Sequence, residues 1–585
     1  MPKTGGEIFA DYLIAEGVPY VCGIPGHGNM SIFDALKDRG SDITLVKSRH
    51  EQSAAHIADA YCRASGSPLA TVTSIGPGSV NTIVGLATSF VDSIPVVAVT
   101  GGPQTYMEGT GVLQEIERHA DADFSNLMRP VVKRSFVAHR GDRVPSIIAR
   151  AFNEALTGRP GPVHVEMPMD VQSVAVEAEA LLPVERRPAG RVRPDPQEVE
   201  RAARLLISSK RPVILAGGGC VRADAAAELR ALAEYLQAPV VTTMMSKGIF
   251  PEDHALCAQH TGACGTSCGN ALTAAADVIL AVGTRFAEQT ASSYVPGKSF
   301  NIPPTKLVHL DIDPYEIGKN YPVAVGIVCD AKTGLADLLD AVQSLAGGRA
   351  DRGDYVAEVQ GRTEEWWKMV RARWREDTLS MSRVLAMIRD AMPRETIAIA
   401  SAGHPQIQAF QEFPVFEPWL SPGGYSTMGY TLPASIGTKL GKPEYPVVAL
   451  AGDGDLLQTV QELHLAAELG VPVVIACLNN AGWVSIRDFQ RGMFGEERPV
   501  AVDFVKADGS SNPIDFAGVA RAMGCEAETV TEVEQVNAAL GRAQASGGPY
   551  LIDFRLSRDP ADTENINVGH WDLPKPAYLG GASDG

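Results

Sequence analysis

The clearest signal for the fold is the segment from Val447 to Val484, VVALAGDGDLLQTVQELHLAAELGVPVVIACLNNAGWV. It opens with a run of small apolar residues, which ends at Gly452-Asp453-Gly454. An amphipathic segment follows, and a second apolar run then ends at Asn479-Asn480. This pattern predicts a strand, a glycine turn, a helix, a second strand and a polar turn, which together form one βαβ unit.

Polar residues follow both predicted strands. Ligands of open parallel sheets bind at the carboxyl ends of the strands, and Asp453 and Asn480 lie about one βαβ unit apart, so we expect both to reach one point. A carboxylate and an amide oxygen suit a hard cation such as Mg²⁺. Gly452 and Gly454 flank Asp453 and allow backbone N–H groups to approach a diphosphate.

Length and composition narrow the class of protein. A chain of 585 residues is too long for one core and predicts about three domains. The net charge of −18 and the absence of a basic block argue against a nucleic-acid partner. The N-terminal residues show no signal-peptide core and no run of 18 apolar residues occurs, so we expect no membrane span and a cytoplasmic location.

The nine cysteines are scattered along the chain. Cys264 and Cys268 have no matching second pair, which argues against zinc and favours buried free thiols.

Apolar runs alternate with helical patterns along most of the chain. The pattern predicts the α/β class with three doubly wound parallel-sheet domains. We predict these domains at 1–182, 195–345 and 378–556, with a C-terminal tail at 557–585. Polar stretches rich in Pro, Arg or Gly separate them, and GGRADRGDY is interpreted as the second linker.

The GDG motif followed about 25 residues later by NN resembles the signature of thiamine diphosphate (ThDP) enzymes, and the resemblance to the three-domain, acetolactate synthase-like members covers nearly the whole chain. It implies that domain 1–182 binds the pyrimidine of ThDP and domain 378–556 binds its diphosphate. The implied Mg²⁺ ligands are Asp453, Asn480 and the carbonyl of Gly482, completed by two phosphate oxygens and a water.

The resemblance also implies catalytic residues in the first domain. Glu51, in HEQSAAHIADAYCRASG, matches the glutamate that shares a proton with the aminopyrimidine. His27 is suited to move a proton near neutral pH, and Gln114 to bind a carbonyl oxygen. Gly26 and Pro77 would face the cofactor.

The motif GYSTMGYTLP (424–433) resembles the segment that shapes the cofactor. Met428 would wedge beneath it, and the carbonyl of Ser426 would accept a hydrogen bond from it. Gly403 and His404 resemble the diphosphate-binding turn. Asp455 stands where relatives often have Ser or Ala beside the diphosphate, and two alternatives remain open: its carboxylate points to solvent, or it lowers diphosphate affinity.

The central domain carries Gly217-Gly218-Gly219 directly after a predicted strand, together with Arg285, Asp311 and Asp330. This set resembles the FAD-binding middle domain of acetolactate synthases, where the flavin is structural. Since many relatives keep such motifs without flavin or bind another nucleotide, FAD is one alternative.

The residues around the expected substrate pocket diverge from acetolactate synthase. The turn Gly26–Asn29 and the stretch NNAGWVSIRDFQRGMFG resemble trihydroxycyclohexanedione hydrolases, so the leading hypothesis is a diketone hydrolase or lyase. Leu113 and Phe489 also depart from acetolactate synthase, whereas the chain length and the middle domain favour that enzyme. The alternatives are therefore a decarboxylating 2-keto-acid carboligase of acetolactate synthase type and a non-catalytic ThDP-binding paralogue.

The resemblance further implies a homodimer or homotetramer whose active sites lie between subunits, with Glu51 of one chain meeting Asp453 of another. The expected partners are otherwise small molecules: a ketone, a 2-keto acid or a cyclic diketone. Trp571-Asp572 in the tail is interpreted either as a lid over the pocket or as simple surface docking.

Overall fold

The structure is a computed structural model that describes residues 2–116, 123–177, 187–188 and 190–579. Its strands form three parallel sheets and one short antiparallel ribbon, with helices on both faces of each sheet. The predicted class, α/β with three doubly wound parallel sheets, is confirmed.

The first sheet has six parallel strands in the order β3-β2-β4-β5-β7-β6. Its strands are β2 (Tyr20–Gly23), β3 (Thr44–Lys47), β4 (Ala70–Thr73), β5 (Val97–Gly102), β6 (Arg134–Val137) and β7 (Val163–Pro168), and the antiparallel ribbon pairs β1 (Lys3–Thr4) with β8 (Ala175–Val176). The helices are α1 (Gly5–Glu16), α2 (Met30–Lys37), α3 (Glu51–Ser65), α4 (Pro77–Val80), α5 (Ile83–Val91), α6 (Phe124–Met128), α7 (Val144–Leu156) and α8 (Met169–Ser173).

The second sheet also has six parallel strands, in the order β11-β10-β9-β12-β13-β14. These are β9 (Pro212–Ala216), β10 (Val240–Thr242), β11 (Cys257–His260), β12 (Val278–Val282), β13 (Lys306–Asp311) and β14 (Val325–Val328). The helices are α9 (Pro196–Ser208), α10 (Gly218–Arg222), α11 (Ala226–Leu236), α12 (Ser267–Ala274), α13 (Ala331–Ala346) and α14 (Gly353–Arg371). The 19-residue helix α14 begins inside the stretch that we interpreted as a linker, and its buried face includes Trp366.

The third sheet has five parallel strands in the order β15-β16-β17-β19-β18. These are β15 (Ile397–Ala400), β16 (Val447–Gly452), β17 (Val474–Asn479), β18 (Glu526–Val530) and β19 (Tyr550–Arg555). The helices are α15 (Met381–Ala391), α16 (His404–Glu412), α17 (Thr431–Gly441), α18 (Asp453–Gln458), α19 (Glu462–Leu469), α20 (Val484–Phe494), α21 (Phe516–Ala522), α22 (Val536–Ala545) and α23 (Pro560–Thr563).

Helices α3 and α17 join the first and third domains. Their backbones approach so closely that a Cβ atom built on Gly437 would lie 2.2 Å from the carbonyl oxygen of Ile57. Tyr430 donates its hydroxyl hydrogen to Asp59 Oδ1 at 2.8 Å, and Arg63 pairs with the same carboxylate at 2.6 Å. One continuous apolar core therefore runs through both domains.

The cysteines carry free thiols, and all except the partly buried Cys264 are buried, as expected for packing residues. Within the described residues, no cluster of three or more His, Cys, Asp and Glu side chains is arranged to hold a metal ion. No helix in the described part of the chain is long and apolar enough to cross a membrane.

Candidate functional site

The predicted βαβ unit is present, and its two polar turns lie side by side. Gly452, the last residue of β16, pairs with Leu478 of β17, so Asp453 and Asn480 extend beyond the same edge of the sheet. Because the strands are parallel and adjacent, the turns that follow them meet at one place.

Asp453 is held between these two turns. Its Oδ1 accepts the N–H of Gly454 at 2.8 Å, and its Oδ2 accepts the N–H of Gly482 at 3.1 Å. The residue is only 3% exposed, and this burial raises the pKa of its carboxyl to about 6. A buried carboxylate is stabilised by a bound cation, so the donor set of Asp453, Asn480 and the Gly482 carbonyl fits Mg²⁺.

Gly454 and Gly482 must be glycines because neighbouring atoms lie where a side chain would begin. A Cβ atom built on Gly454 would lie 2.0 Å from Cζ3 of Trp483. A Cβ atom built on Gly482 would lie 2.4 Å from the carbonyl oxygen of Val502. Larger residues at these positions would force the turns apart.

The turn after β15 supplies the predicted diphosphate residues. Gly403 has a φ of 77°, a left-handed conformation that glycine adopts readily, and it precedes α16. His404 begins that helix and is buried, which lowers its pKa to about 4 and leaves the imidazole neutral at neutral pH. Its Nδ1 has no hydrogen-bond partner among the described residues, so the site offers a free polar atom to a ligand.

The segment around Met428 lies next to this turn. Ser426 has a φ of 50°, and its hydroxyl donates to Gln406 Oε1 at 2.9 Å. The carbonyl of Met428 accepts a hydrogen bond from Gln52 Nε2 at 3.4 Å. Gln52 directly follows Glu51, so the two predicted motifs are linked within one chain.

The side chain of Asp455 points into the protein and is 4% exposed, so the alternative in which it faces solvent is wrong. Its Oδ1 accepts hydrogen bonds from Ser401 Oγ at 2.5 Å, from Gly429 N at 2.7 Å and from Tyr430 N at 3.3 Å. These partners, rather than solvent, compensate the buried charge.

A cavity of about 1180 Å³ connects the third domain with the central one. From the third domain it is lined by Gly403, His404, Ser426, Met428, Gly452, Asp453, Gly454, Asp455, Asn480 and Gly482. From the central domain it is lined by Gly218, Gly219, Arg285, Asp311 and Asp330. The structure therefore brings together the predicted diphosphate, metal and nucleotide residues, apart from Gly217.

Several of the central residues also have structural roles. Gly217 and Gly219 pack against Gly283, where a Cβ atom on Gly217 would lie 2.2 Å from the Gly283 carbonyl oxygen. Asp330 caps α13 and pairs with Arg191 at 2.8 Å. Asp311 is buried, which raises its pKa to about 6.

The predicted catalytic residues of the first domain form a second group. Glu51 is the first residue of α3, and its Oε2 accepts a hydrogen bond from Asn81 Nδ2 at 2.9 Å. Its Oε1 faces Gly78, where the lack of a side chain leaves space beside the carboxylate. Pro77 lies after β4 and His27 lies after β2, and these two strands are neighbours in the first sheet.

Gln114 reaches this group through its backbone. It has a φ of 70°, and a Cβ atom on Gly76 would lie 2.7 Å from its carbonyl oxygen. Gly26 donates its N–H to Asn29 Oδ1 at 2.8 Å, which closes the turn that holds His27. The residues Gly26, His27, Glu51, Pro77 and Gln114 are not among those described residues that line the cavity. We call them the first-domain half-site and the predicted third-domain residues of the cavity the third-domain half-site.

The tail contributes to the cavity wall. Trp571 lines it and meets Phe489 edge to face, with ring centroids 5.2 Å apart. The backbone N–H of the next residue, Asp572, donates to Ser293 Oγ at 2.8 Å and ties the tail to the central domain.

Three polar residues that support these half-sites were not predicted from the sequence: Gln52, Gln406 and Tyr430. The first two closely follow the predicted residues Glu51 and His404, and this proximity could have indicated their role. Their partners come from distant segments and could not be inferred from spacing alone.

Comparisons with known proteins agree with this architecture. Family models match three segments: "Thiamine pyrophosphate enzyme, N-terminal TPP binding domain" at residues 3–122, the "central domain" at 199–338 and the "C-terminal TPP binding domain" at 401–554. These matches identify a thiamine diphosphate-dependent enzyme.

Curated relatives narrow the class. The chain is 34% identical to a probable acetolactate synthase large subunit of Methanocaldococcus jannaschii, over 95% of this chain and 92% of that protein. It is also 34% identical to the acetolactate synthase large subunit of Corynebacterium glutamicum, over 97% and 89%, and 32% identical to acetolactate synthase of Arthrospira platensis, over 97% and 96%. The chain therefore belongs to the acetolactate synthase-like family of thiamine diphosphate-dependent enzymes.

Proposed function

We propose that this enzyme is a Mg²⁺-dependent carboligase of acetolactate synthase type, which decarboxylates one 2-keto acid and joins the remainder to a second carbonyl compound. The observation that carries the proposal is the buried Asp453, held by two backbone N–H groups beside Asn480 and inside a cavity lined by His404. The relatives named acetolactate synthase match nearly the whole chain and favour this reaction over the diketone hydrolysis that the sequence first suggested.

Each residue has a defined task in this proposal. Asp453, Asn480 and the Gly482 carbonyl hold Mg²⁺, and Gly403 and His404 bind the diphosphate. When bound, ThDP supplies the nucleophilic carbon and accepts the electrons of the broken C–C bond. Glu51 would offer Oε1 to the aminopyrimidine, because Asn81 already occupies Oε2.

The active site requires both half-sites, and we propose that a second copy of the chain supplies the missing half. Apolar side chains beside the first-domain half are exposed: Met30, Val80, Val84 and Leu113. Exposed apolar residues also flank the third-domain half: Tyr425, Leu457 and Ile486. Exposed apolar patches of this kind mark association surfaces.

A mixing experiment tests the shared site. Glu51→Gln and Asp453→Ala homo-oligomers are each expected to be inactive. In mixed dimers one site carries both changes and the other carries neither, so random reassortment restores about a quarter of the wild-type sites. An inactive mixture, after exchange of subunits has been verified by mass spectrometry, would contradict the shared site.

The central cavity suits a flavin nucleotide. Gly218 and Gly219 follow β9 without side chains, and Arg285 and Asp311 project from neighbouring strand ends. Asp92 also lines the cavity, and its buried Oδ1 has no partner among the described residues. We propose FAD here, and the visible absorbance spectrum of the purified protein, which would show a flavin band, tests it.

A substrate panel tests the reaction. Purified protein with Mg²⁺ and ThDP is supplied with pyruvate, pairs of 2-keto acids and a cyclic diketone, and CO₂, acid and acyloin products are measured in parallel. CO₂ release with a carboligation product supports the proposal, whereas acid formed from the diketone without CO₂ supports the hydrolase. Glu51→Gln should abolish turnover while Glu198→Gln, on the surface of α9, should not. Equal turnover by both variants would contradict the role of Glu51, whereas no turnover of any substrate by the unsubstituted protein would favour a non-catalytic paralogue.

A further inference from the structure

Asp455 is the buried carboxylate for which the proposed reaction has no use. It lies two residues after Asp453 in α18 and reaches across to two other elements of the third domain. Its partners are the hydroxyl of Ser401, directly after β15, and the backbone N–H groups of Gly429 and Tyr430. One carboxylate therefore connects the turns after β15 and β16 with the segment that precedes α17.

The segment that it holds is short and fixed at both ends. Gly429 has a φ of 78°, a backbone conformation that residues with a side chain adopt only at an energetic cost. This conformation directs its N–H at Asp455. On the other side of Met428, the hydroxyl of Ser426 is anchored on Gln406. Asp455 Oδ1 accepts two backbone N–H groups from this stretch and Gln406 Oε1 accepts one hydroxyl, so Asp455 makes the larger number of anchoring bonds.

We propose that Asp455 is a positioning residue, which holds the Ser426–Met428 segment in place instead of binding the diphosphate. Oδ1 is directed at the three donors, and Thr431 donates to Ser401 from the same side at 3.0 Å. The inference rests on the proposed use of ThDP at this cavity. A carboxylate can then lie beside an anionic ligand, because Oδ1 of Asp455 is hydrogen-bonded to protein donors and not to the ligand.

The affinity for the cofactor and the order of the Ser426–Met428 segment can be measured separately. Asp455→Ala leaves two backbone N–H groups and a hydroxyl without their acceptor. We expect amide hydrogen exchange of Gly429 and Tyr430 to rise at least 10-fold and turnover at saturating ThDP to fall at least 10-fold. The dissociation constant of Mg²⁺–ThDP should rise only together with that exchange, because the segment carries the predicted cofactor contacts of Ser426 and Met428 whereas Asp455 itself makes none.

Asp455→Asn is the matched conservative variant. Its amide oxygen can accept the same hydrogen bonds, so exchange at 429–430 and turnover should return to within about 3-fold of wild type. Asp553→Ala serves as the structural control, since Asp553 is equally buried in the same domain and accepts from Asn479 and Phe516 without lining the cavity. It should lower the unfolding temperature without raising exchange at 429–430.

Hydrogen exchange, calorimetric titration with Mg²⁺–ThDP and steady-state turnover are measured on the full-length protein. A 10-fold loss of ThDP affinity in Asp455→Ala with normal exchange at 429–430 would overturn the inference and make Asp455 a diphosphate residue. Equal losses in Asp455→Asn and Asp455→Ala would also overturn it, because charge and not acceptor geometry would then be required. Exchange and titration need no substrate, so they decide the matter even if carboligation is not observed.

Discussion

Gly454 offers a direct test of how the cofactor site is built. In Gly454→Ala the new Cβ atom would lie 2.0 Å from Cζ3 and 2.5 Å from Cε3 of Trp483. Carbon atoms in contact are about 3.5–4.0 Å apart, so the indole must retreat by roughly 1.5 Å. Its ring is packed edge to face on Phe504 at 5.5 Å, and its backbone N–H donates to Val502 at 2.6 Å, so the retreat meets resistance.

The expected magnitude follows from this overlap. Overpacking of a well-packed site costs about 1–3 kcal/mol. Trp483 follows Gly482, whose N–H holds Asp453, so the displacement acts directly on the proposed metal site. If the cost falls on the ligand-binding arrangement, affinity for Mg²⁺–ThDP decreases by roughly 5- to 150-fold, at about 1.4 kcal/mol per factor of ten.

Isothermal titration of the apoprotein with ThDP at saturating Mg²⁺ measures this change. Gly541→Ala is the control: it lies in α22, and no described heavy atom beyond its own helix surroundings comes within 4 Å of the new Cβ atom. The Gly541→Ala substitution should stabilise the helix by about 0.5–1 kcal/mol and leave the binding of Mg²⁺–ThDP unaltered. A folded Gly454→Ala protein that binds Mg²⁺–ThDP within about twofold of wild type would show that the contact between Gly454 and Trp483 does not shape the cofactor site.

Two further predictions concern the domain interface and the tail. Burial raises the pKa of Glu462 to about 7 from 4.5, although Arg49 N donates to it at 2.9 Å, so the folded state binds the proton more tightly than the unfolded state. The contribution of Glu462 to the free energy of unfolding is therefore present below about pH 4.5 and is lost as pH rises to about 7, a change of roughly 3 kcal/mol. The free energy of unfolding in urea should fall less over this pH range in Glu462→Gln than in wild type. Parallel pH dependences of the two proteins would contradict the prediction. Trp571→Ala removes the edge-to-face contact with Phe489, worth about 0.5–1.5 kcal/mol, and should raise the KM for substrate roughly 2- to 10-fold with unchanged ThDP affinity. Trp571→Phe should restore the KM, Tyr578→Ala in the same tail should not alter it, and an unchanged KM in Trp571→Ala would mean that the tail is only docked on the surface.

Much of the third domain was predictable because its strands are buried on both faces and appear as continuous apolar runs. Val447–Gly452 and Val474–Asn479 were both expected, and their parallel pairing follows from the intervening helices. Strands with mixed composition gave no such signal: β6, Arg134–Val137, is an edge strand, and β18, Glu526–Val530, carries charged residues. Helix α14 was missed because Gly353 and Gly361 lie within it.

The cofactor class was predictable from the resemblance of GDG, NN and the Glu51 segment to ThDP enzymes, and the positions of GDG and NN from the apolar runs that precede them. The contacts of Asp455 were not predictable from the sequence, since its donors lie 25 to 54 residues away and meet it only when β15 and β16 pair. Which of the described residues line the cavity around Asp453 and Asn480 was also visible only in the fold, and Glu51 is not among them. Spacing along a chain identifies groups with matching chemistry, but the direction of a side chain depends on packing against residues that are far away in the sequence.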